Sequence, residues 1–248
     1  MGADFLAVSG GLGLMVSFGV AGALSSWERR PLSDYGLGFS EGGRQATGGA
    51  IFGLTAMSLA VAVLIGLGAL DPGFAHIGRL RGLGRALASV GAFSLVAAAQ
   101  ESVFRGWLLA GLARRIGFSG GSAITSALFV AVHLTAKGET ELGLGGLFVF
   151  ALLACAATRV LGSIWWAVGF HAAWDFALTF LFGFGAPPEA ESLIRMTPRG
   201  PVWLSGGSGG PEGSLITVAI LLALWAFVAS RRKIFPEANH KTNRKTNR

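Results

Sequence analysis

The sequence predicts an all-α fold, a polytopic bundle of transmembrane helices with about seven spans. Only 13% of the 248 residues are charged, and the mean hydropathy is +0.60. A soluble domain carries roughly 25% charged residues. The apolar residues also occur in long runs, and a run of ~20 is what a helix needs to cross a bilayer. These observations exclude a soluble enzyme and a disordered chain, and the lone Cys155 excludes a disulfide scaffold.

Polar or proline-containing segments separate the apolar runs. Pro31 disfavours a helix through the charged connection 27–45, and Asp71 and Pro72 open the next connection. The segment 186–213 holds five of the eight prolines and many glycines and serines, which predicts a loop over the membrane surface rather than a second domain. The predicted spans are 5–25, 46–70, 86–112, 117–135, 142–159, 163–184 and 214–230.

The basic residues predict how the chain is oriented. We divide it into a first span (1–26), a membrane domain (27–230) and a basic tail (231–248) that holds seven of the 20 Lys and Arg residues. We interpret the tail as a cytoplasmic anchor rather than a nucleic-acid site. The connections on the side of the tail, with the tail itself, carry thirteen basic residues and the opposite side six. We therefore predict a multi-pass protein of the cell membrane with its N-terminus outside and its C-terminus in the cytoplasm.

Three of the predicted spans contain polar residues that a bilayer tolerates poorly. Ionisable side chains within a span normally face the bundle interior and pair with one another. Here they form pairs four positions apart, so that both members project from one face of a helix. The pairs are Glu101 with Arg105, Phe129 with His133, and His171 with Asp175.

If the three faces converge, the bundle holds a polar pocket able to activate a water for attack on a carbonyl. Each pair has a structural alternative. Glu101 and Arg105 form an ordinary intrahelical ion pair in that case, and each histidine is an interhelical hydrogen-bond partner. Transport or proton relay is a third hypothesis, because buried acids and histidines also serve those roles. The GxxxG spacing of Gly49 and Gly53 predicts only close helix packing.

This pattern resembles the CAAX prenyl endopeptidase and bacteriocin-processing family of intramembrane proteases (CPBP, also called Abi). The family pattern is Glu-Glu-x-x-x-Arg on one helix, Phe-x-x-x-His on the next and His-x-x-x-Asn or Asp on a later one. The three pairs match it in order, and the resemblance extends from about residue 27 to 230. Supporting matches are Glu28-Arg29-Arg30-Pro31-Leu32, Gly162-Ser163-Ile164-Trp165 and Pro211-Glu212-Gly213-Ser214.

The resemblance implies hydrolysis of peptide bonds within the membrane, in peptide or protein substrates that include lipidated C-terminal tails. In the family, the first glutamate of the pair and the first histidine activate the attacking water. The second histidine and the Asn or Asp form an oxyanion site, which implies those roles for His171 and Asp175. The second glutamate and the arginine, here Glu101 and Arg105, hold the pocket together.

The sequence departs from the family pattern at the first glutamate, which is Gln100. An amide does not take up a proton near neutral pH, so three hypotheses follow. Glu101 takes over as base while His133 polarises the water, or His133 is itself the base while Gln100 positions the water. In the third hypothesis the chain is a pseudoprotease that binds membrane peptides or proteins without cutting them.

Two questions about the chemistry stay open from the sequence. Asp175 either is protonated and donates to an oxyanion, or orients His171 and keeps it protonated. We expect no required cofactor, because the HExxH helix of many zinc peptidases is missing. The alternative is a divalent metal such as zinc, held by Glu101, His133 and His171.

Overall fold

The computed structural model describes residues 3–74, 79–134, 138, 140–184 and 192–231. The first six α-helices are α1 (Ala3–Glu28), α2 (Gly42–Gly66), α3 (Arg79–Glu101), α4 (Leu109–Ala131), α5 (Glu141–Leu161) and α6 (Trp165–Phe176). A four-residue helix α7 (Val202–Ser205) and the 15-residue helix α8 (Leu215–Ala229) follow. π-helical segments extend α3 over Ser102–Leu108 and α6 over Ala177–Leu181. The predicted helical bundle is confirmed.

The chain reverses direction at Gly117, inside a helical stretch of 50 residues that runs from Gly82 to Ala131. Gly117 has φ 80° and ψ 162°, a conformation that only glycine adopts readily. Beyond it Gly121 packs closely on Ala113, and still further along Phe129 meets the edge of Phe104 with ring centroids 5.3 Å apart. The stretch is therefore a helical hairpin, whose arms correspond to the predicted spans 86–112 and 117–135.

Four helical stretches among the described residues are long and apolar enough to cross a membrane. They are Asp4–Glu28, Gly42–Gly66, the hairpin Gly82–Ala131 and Glu141–Leu161. The helix Leu215–Ala229 is apolar but shorter. These stretches agree with a protein of the membrane, whereas the count of seven spans and the orientation stay predictions. The basic tail from residue 232 onward lies outside the described residues.

Glycines allow α2 and α6 to touch backbone to backbone. A Cβ at Gly49 would collide with the Trp166 carbonyl oxygen, and one at Gly53 with the Phe170 carbonyl oxygen. Across the same contact, a Cβ at Gly169 would collide with the Ala46 carbonyl oxygen. The close packing predicted from the Gly49 and Gly53 spacing is present, and α2 makes its most extensive contact with α6. This contact positions α6, which carries His171 and Asp175.

A pair of short strands lies in two connections that the sequence predicted to be loops. Strand β1 (Leu70–Phe74) pairs antiparallel with β2 (Ile194–Pro198), with Pro72 opposite Met196. The prediction of a simple loop was wrong at both places. Each strand has only five residues, and its partner lies more than 100 positions away. Such a short, long-range pairing leaves no periodic pattern in the sequence.

The segment 186–213, predicted as one surface loop, is tied to the bundle in its described part. Arg199 forms an ion pair with Asp71 at 2.6 Å, and its backbone N–H donates to the Ala69 carbonyl oxygen. Met196 is buried in the same apolar cluster as Phe129 and Trp174. Residues 185–191 lie outside the described residues.

The packing of α2 on α6 predicts opposite outcomes for two neighbouring glycines. We expect Gly49→Ala to lower the free energy of unfolding by about 1–3 kcal/mol, because the new methyl group meets backbone that cannot move aside. Gly48→Ala is the matched control, since its Cβ would meet only a Trp166 ring atom at 3.9 Å. Thermal unfolding in detergent measures both. Equal midpoints for the two variants would contradict this account of the contact.

Candidate active site

Glu101 is the last residue of α3, and its carboxylate lies at the centre of the polar cluster. Its side chain has no exposed surface. One oxygen, Oε1, is 2.8 Å from Nδ1 of His171 on α6, and the other, Oε2, is 3.2 Å from Nε of Arg105. A buried carboxylate needs compensating charge or hydrogen bonds. Glu101 therefore joins α6 to the segment that carries Arg105.

The π-helical segment that follows Glu101 is anchored by α1. Ser102 donates to Ser17 at 2.7 Å, and the Trp107 indole N–H donates to the same Ser17 hydroxyl at 3.2 Å. Ser17 is itself buried within the bundle. Gly106 departs from helical geometry, with φ −80° and ψ −114°. π-helical turns are frequent at functional sites, where they redirect side chains.

Arg105 is buried between the glutamate and an aromatic ring. Its side chain is 1% exposed, and its guanidinium carbon lies 4.2 Å from the centroid of the Phe129 ring. This is cation–π geometry. Within the described part of the chain, the terminal nitrogens of Arg105 have no hydrogen-bond partner. The guanidinium keeps donor capacity that Glu101 does not use.

His171 lies between two carboxylates. Its Nδ1 faces Glu101, and its Nε2 lies 3.6 Å from Oδ2 of Asp175, one helical turn further along α6. The side chain of His171 is 6% exposed, and that of Asp175 is 25% exposed. Arg105, Glu101, His171 and Asp175 thus form a continuous row of ionisable side chains that runs from a sealed end to an open one.

His133 lies in the turn after α4, two residues beyond the end of the helix at Ala131. Its Nδ1 is 2.7 Å from the Phe129 carbonyl oxygen. A carbonyl only accepts, so Nδ1 carries the proton and the neutral ring keeps a free lone pair on Nε2. His133 is partly exposed and lies within electrostatic reach of Asp175.

Phe129 holds these groups together. Its ring centroid is 4.7 Å from that of His133 and 5.8 Å from that of His171. The Phe129 ring also contacts the Arg105 guanidinium, as described above. Phe150 of α5, which the sequence did not single out, packs edge-on against His171 at 5.2 Å. An aromatic residue within an apolar run is typical of the core of a helix bundle, so the sequence contains no signal that distinguishes Phe150 as a site residue.

Gln100 lies apart from this cluster. It lines a separate cavity of about 300 Å³ between α1 and α3, together with Ser9, Gly10 and Val96. Its Oε1 is buried and has no hydrogen-bond partner in the described part of the chain. Five of the six predicted site residues come together, namely Glu101, Arg105, His133, His171 and Asp175.

The segment before α8 reaches back to the site helix. The indole N–H of Trp174, between His171 and Asp175 in sequence, donates to the Glu212 carboxylate at 2.5 Å. Glu212 belongs to the Pro211–Gly213 turn, and Trp174 is buried. The sequence marked this turn only as a supporting motif, without indicating its contact with α6.

Comparison with known families bears directly on this cluster. Residues 82–177 match the family model for type II CAAX prenyl endopeptidase Rce1-like proteins. The predicted family resemblance is confirmed. The matched segment contains all three motif helices and every residue of the cluster. No curated protein and no solved structure shows significant similarity to the chain.

The metal alternative stays a prediction, and the arrangement of the candidate ligands can be described. Among the residues that the structure describes, no group of three His, Cys, Asp or Glu side chains is placed to hold a metal ion. The predicted alternative was Glu101, His133 and His171. Both ring nitrogens of His171 face carboxylates, and Nδ1 of His133 faces a backbone carbonyl.

The buried ion pair predicts a large stability effect. We expect Arg105→Met to lower the free energy of unfolding by about 3–5 kcal/mol, because it leaves the Glu101 carboxylate buried without its cation. The double variant Glu101→Gln with Arg105→Met should lose less than the two single variants together. Arg44→Met is the matched control, because Arg44 pairs with Glu41 at an exposed position, where such pairs contribute about 0–1 kcal/mol.

Unfolding in detergent with increasing denaturant measures this cycle. Strictly additive losses for Glu101→Gln and Arg105→Met would mean that the two side chains act independently, contrary to the geometry.

Proposed function

We propose that the protein is an intramembrane endopeptidase of the CAAX prenyl protease type. It hydrolyses peptide bonds of membrane-associated or lipidated polypeptides in the cell membrane. The observation that carries this proposal is the convergence of His133 with the row Glu101–His171–Asp175 inside the family-matched segment. Membrane location is supported by the apolar helices around the cluster.

His133 is the general base in this proposal. The hydrogen bond from its Nδ1 to the Phe129 carbonyl oxygen makes Nε2 the basic nitrogen of the neutral ring, and the side chain is partly exposed. Nε2 takes a proton from a water molecule while the water oxygen attacks the scissile carbonyl carbon. The same proton then passes to the leaving amine nitrogen as the carbon–nitrogen bond breaks. Products are a new carboxyl end and a new amino end.

His171 stabilises the oxyanion that forms when water adds to the carbonyl. The carboxylates of Glu101 and Asp175 flank the ring and orient it. The Nε2–Asp175 separation of 3.6 Å is longer than a hydrogen bond, so an N–H at Nε2 can donate to a developing oxyanion. Asp175 and Glu101 are positioning residues on the two sides of His171.

Glu101 is less suited to be the base. Its side chain has no exposed surface, and its two oxygens already face His171 and Arg105. A water would have to enter a sealed position and displace one of these contacts. Gln100 lines another cavity, so the roles proposed for His133 and His171 do not depend on a carboxylate at position 100. This argues for a working enzyme over a pseudoprotease.

Cleavage assays on matched variants test the proposal. Purified protein in lipid nanodiscs is incubated with a pool of lipidated and unlipidated C-terminal peptides, and products are identified by mass spectrometry. We expect wild-type cleavage, and a loss of about 10²–10⁴-fold in His133→Ala, the usual contribution of a general base. Gln100→Glu should stay within about tenfold of wild type, and His240→Ala is the histidine control.

Other results would reassign the residues. Cleavage by Gln100→Glu but not by wild type would identify a pseudoprotease that binds membrane peptides, and the proposal would be wrong. Cleavage that survives His133→Ala but is lost in Glu101→Gln would make Glu101 the base. Retained expression and helicity of each variant show that the effects are not due to misfolding.

Activity should survive removal of metal ions. The ring nitrogens of His171 face two carboxylates, which leaves neither of them directed to a metal. We expect the same cleavage rate before and after exhaustive dialysis against EDTA. Loss of cleavage that added zinc restores would demonstrate a metal enzyme, with Glu101, His133 and His171 as the first ligands to examine.

A further inference from the structure

A second large cavity lies at one end of the bundle, away from His133 and Asp175. Its volume is about 640 Å³. Its walls come from the connection between α1 and α2, from both sides of the Gly117 turn and from the connection between α5 and α6. We call it the arginine cavity because four arginines line it: Arg30, Arg105, Arg114 and Arg159.

The lining of the arginine cavity contains fewer acidic residues than arginines. Asp34 and Glu41 are the acidic residues in its lining. Asp34 pairs with Arg30 at 3.4 Å, and Glu41 pairs with Arg44 outside the lining. The lining therefore carries a net positive charge.

Two of the lining arginines have partners at the surface. Arg114 reaches the Glu28 carboxylate at 2.8 Å, and Arg30 lies 3.8 Å from the same oxygen. The buried hydroxyl of Tyr35 also donates to Glu28, at 2.7 Å. Burial, with that hydrogen bond, raises the pKa of Tyr35, so the hydroxyl stays protonated and keeps donating. The Glu28 carboxylate thus holds these three lining side chains together.

Of the other two arginines, Arg105 is enclosed beside Glu101, and Arg159 is the one with accessible donors. The terminal nitrogens of Arg105 are buried and have no hydrogen-bond partner in the described part of the chain. Arg159, in the last turn of α5, stacks on Phe118 with its guanidinium carbon 4.3 Å from the ring centroid. It has no carboxylate partner within the described ranges. An oxyanion with several acceptor oxygens would satisfy the Arg159 guanidinium.

The position of the cavity and the residues of its walls indicate which kind of oxyanion it would bind. The cavity lies where helices end, and one wall is apolar, formed by Leu109, Ala110 and Ala113. Basic pockets between membrane helices bind anionic lipid headgroups, and arginine forks suit phosphate oxygens. We propose that the arginine cavity binds a phosphate group, as carried by the headgroup of an anionic phospholipid. Arg159 donates to its oxygens, and the apolar wall accepts the start of an acyl chain.

Lipid binding to purified protein tests this site. Native mass spectrometry measures the apparent Kd for phosphatidylglycerol and, separately, for phosphatidylcholine. We expect phosphatidylglycerol to bind more tightly, and Arg159→Gln to weaken it by about tenfold, the loss of one charge-assisted contact. Arg159→Lys should fall between wild type and Arg159→Gln, because it keeps the charge but loses the fork. Arg115→Gln, next to a lining residue but outside the cavity, should change nothing.

Inorganic phosphate distinguishes the two sources of the group. If it displaces phosphatidylglycerol only at high concentration, the ligand is the lipid headgroup. If it binds tightly by itself and Arg159→Gln abolishes that binding, the phosphate site stands and its source is soluble. Equal binding of the two lipids with no phosphate binding, or equal losses in Arg159→Gln and Arg115→Gln, would overturn the proposal. Unchanged thermal unfolding of the variants excludes misfolding.

Discussion

Glu101 is a carboxylate with no exposed surface inside an apolar bundle, and the arrangement of the site follows from compensating its charge. An unpaired charge buried this deeply would cost much more free energy than a single contact between helices contributes. Arg105 supplies the compensation along the chain, and His171 supplies it from another helix. Helices α3 and α6 are therefore tied together by electrostatics. The Arg105 guanidinium then lies over Phe129, which brings in the end of α4.

Small residues allow this convergence. Gly49, Gly53 and Gly169 bring α2 and α6 into backbone contact, which positions His171 and Asp175. Ser17 holds the π-helical segment that carries Arg105. Neither set is chemically reactive, yet both determine where reactive groups lie. The glycines allow α2 and α6 to approach closely. Ser17 holds a π-helical turn that redirects the side chains after Glu101.

The polar row has a sealed end and an open end, and this division separates structural from chemical roles. Arg105 and Glu101 are enclosed, whereas Asp175 is partly exposed and His133 lies near it on the open side. Arg105 also lines the arginine cavity. The same residue thus belongs to the polar row and to the lining of the cavity that holds the proposed phosphate site.

The sequence by itself determined the helical membrane class, because hydropathy over ~20 residues is a local property. It also predicted that Glu101 lies beside Arg105 and His171 beside Asp175, since pairs four apart share a helix face whatever surrounds them. Contacts between distant segments were decided only by the tertiary structure. The strand pair of Leu70–Phe74 with Ile194–Pro198, the reversal at Gly117 and the Trp174–Glu212 hydrogen bond are of this kind. So is the separate cavity of Gln100, because neighbouring helix positions point about 100° apart and only packing decides what each one meets.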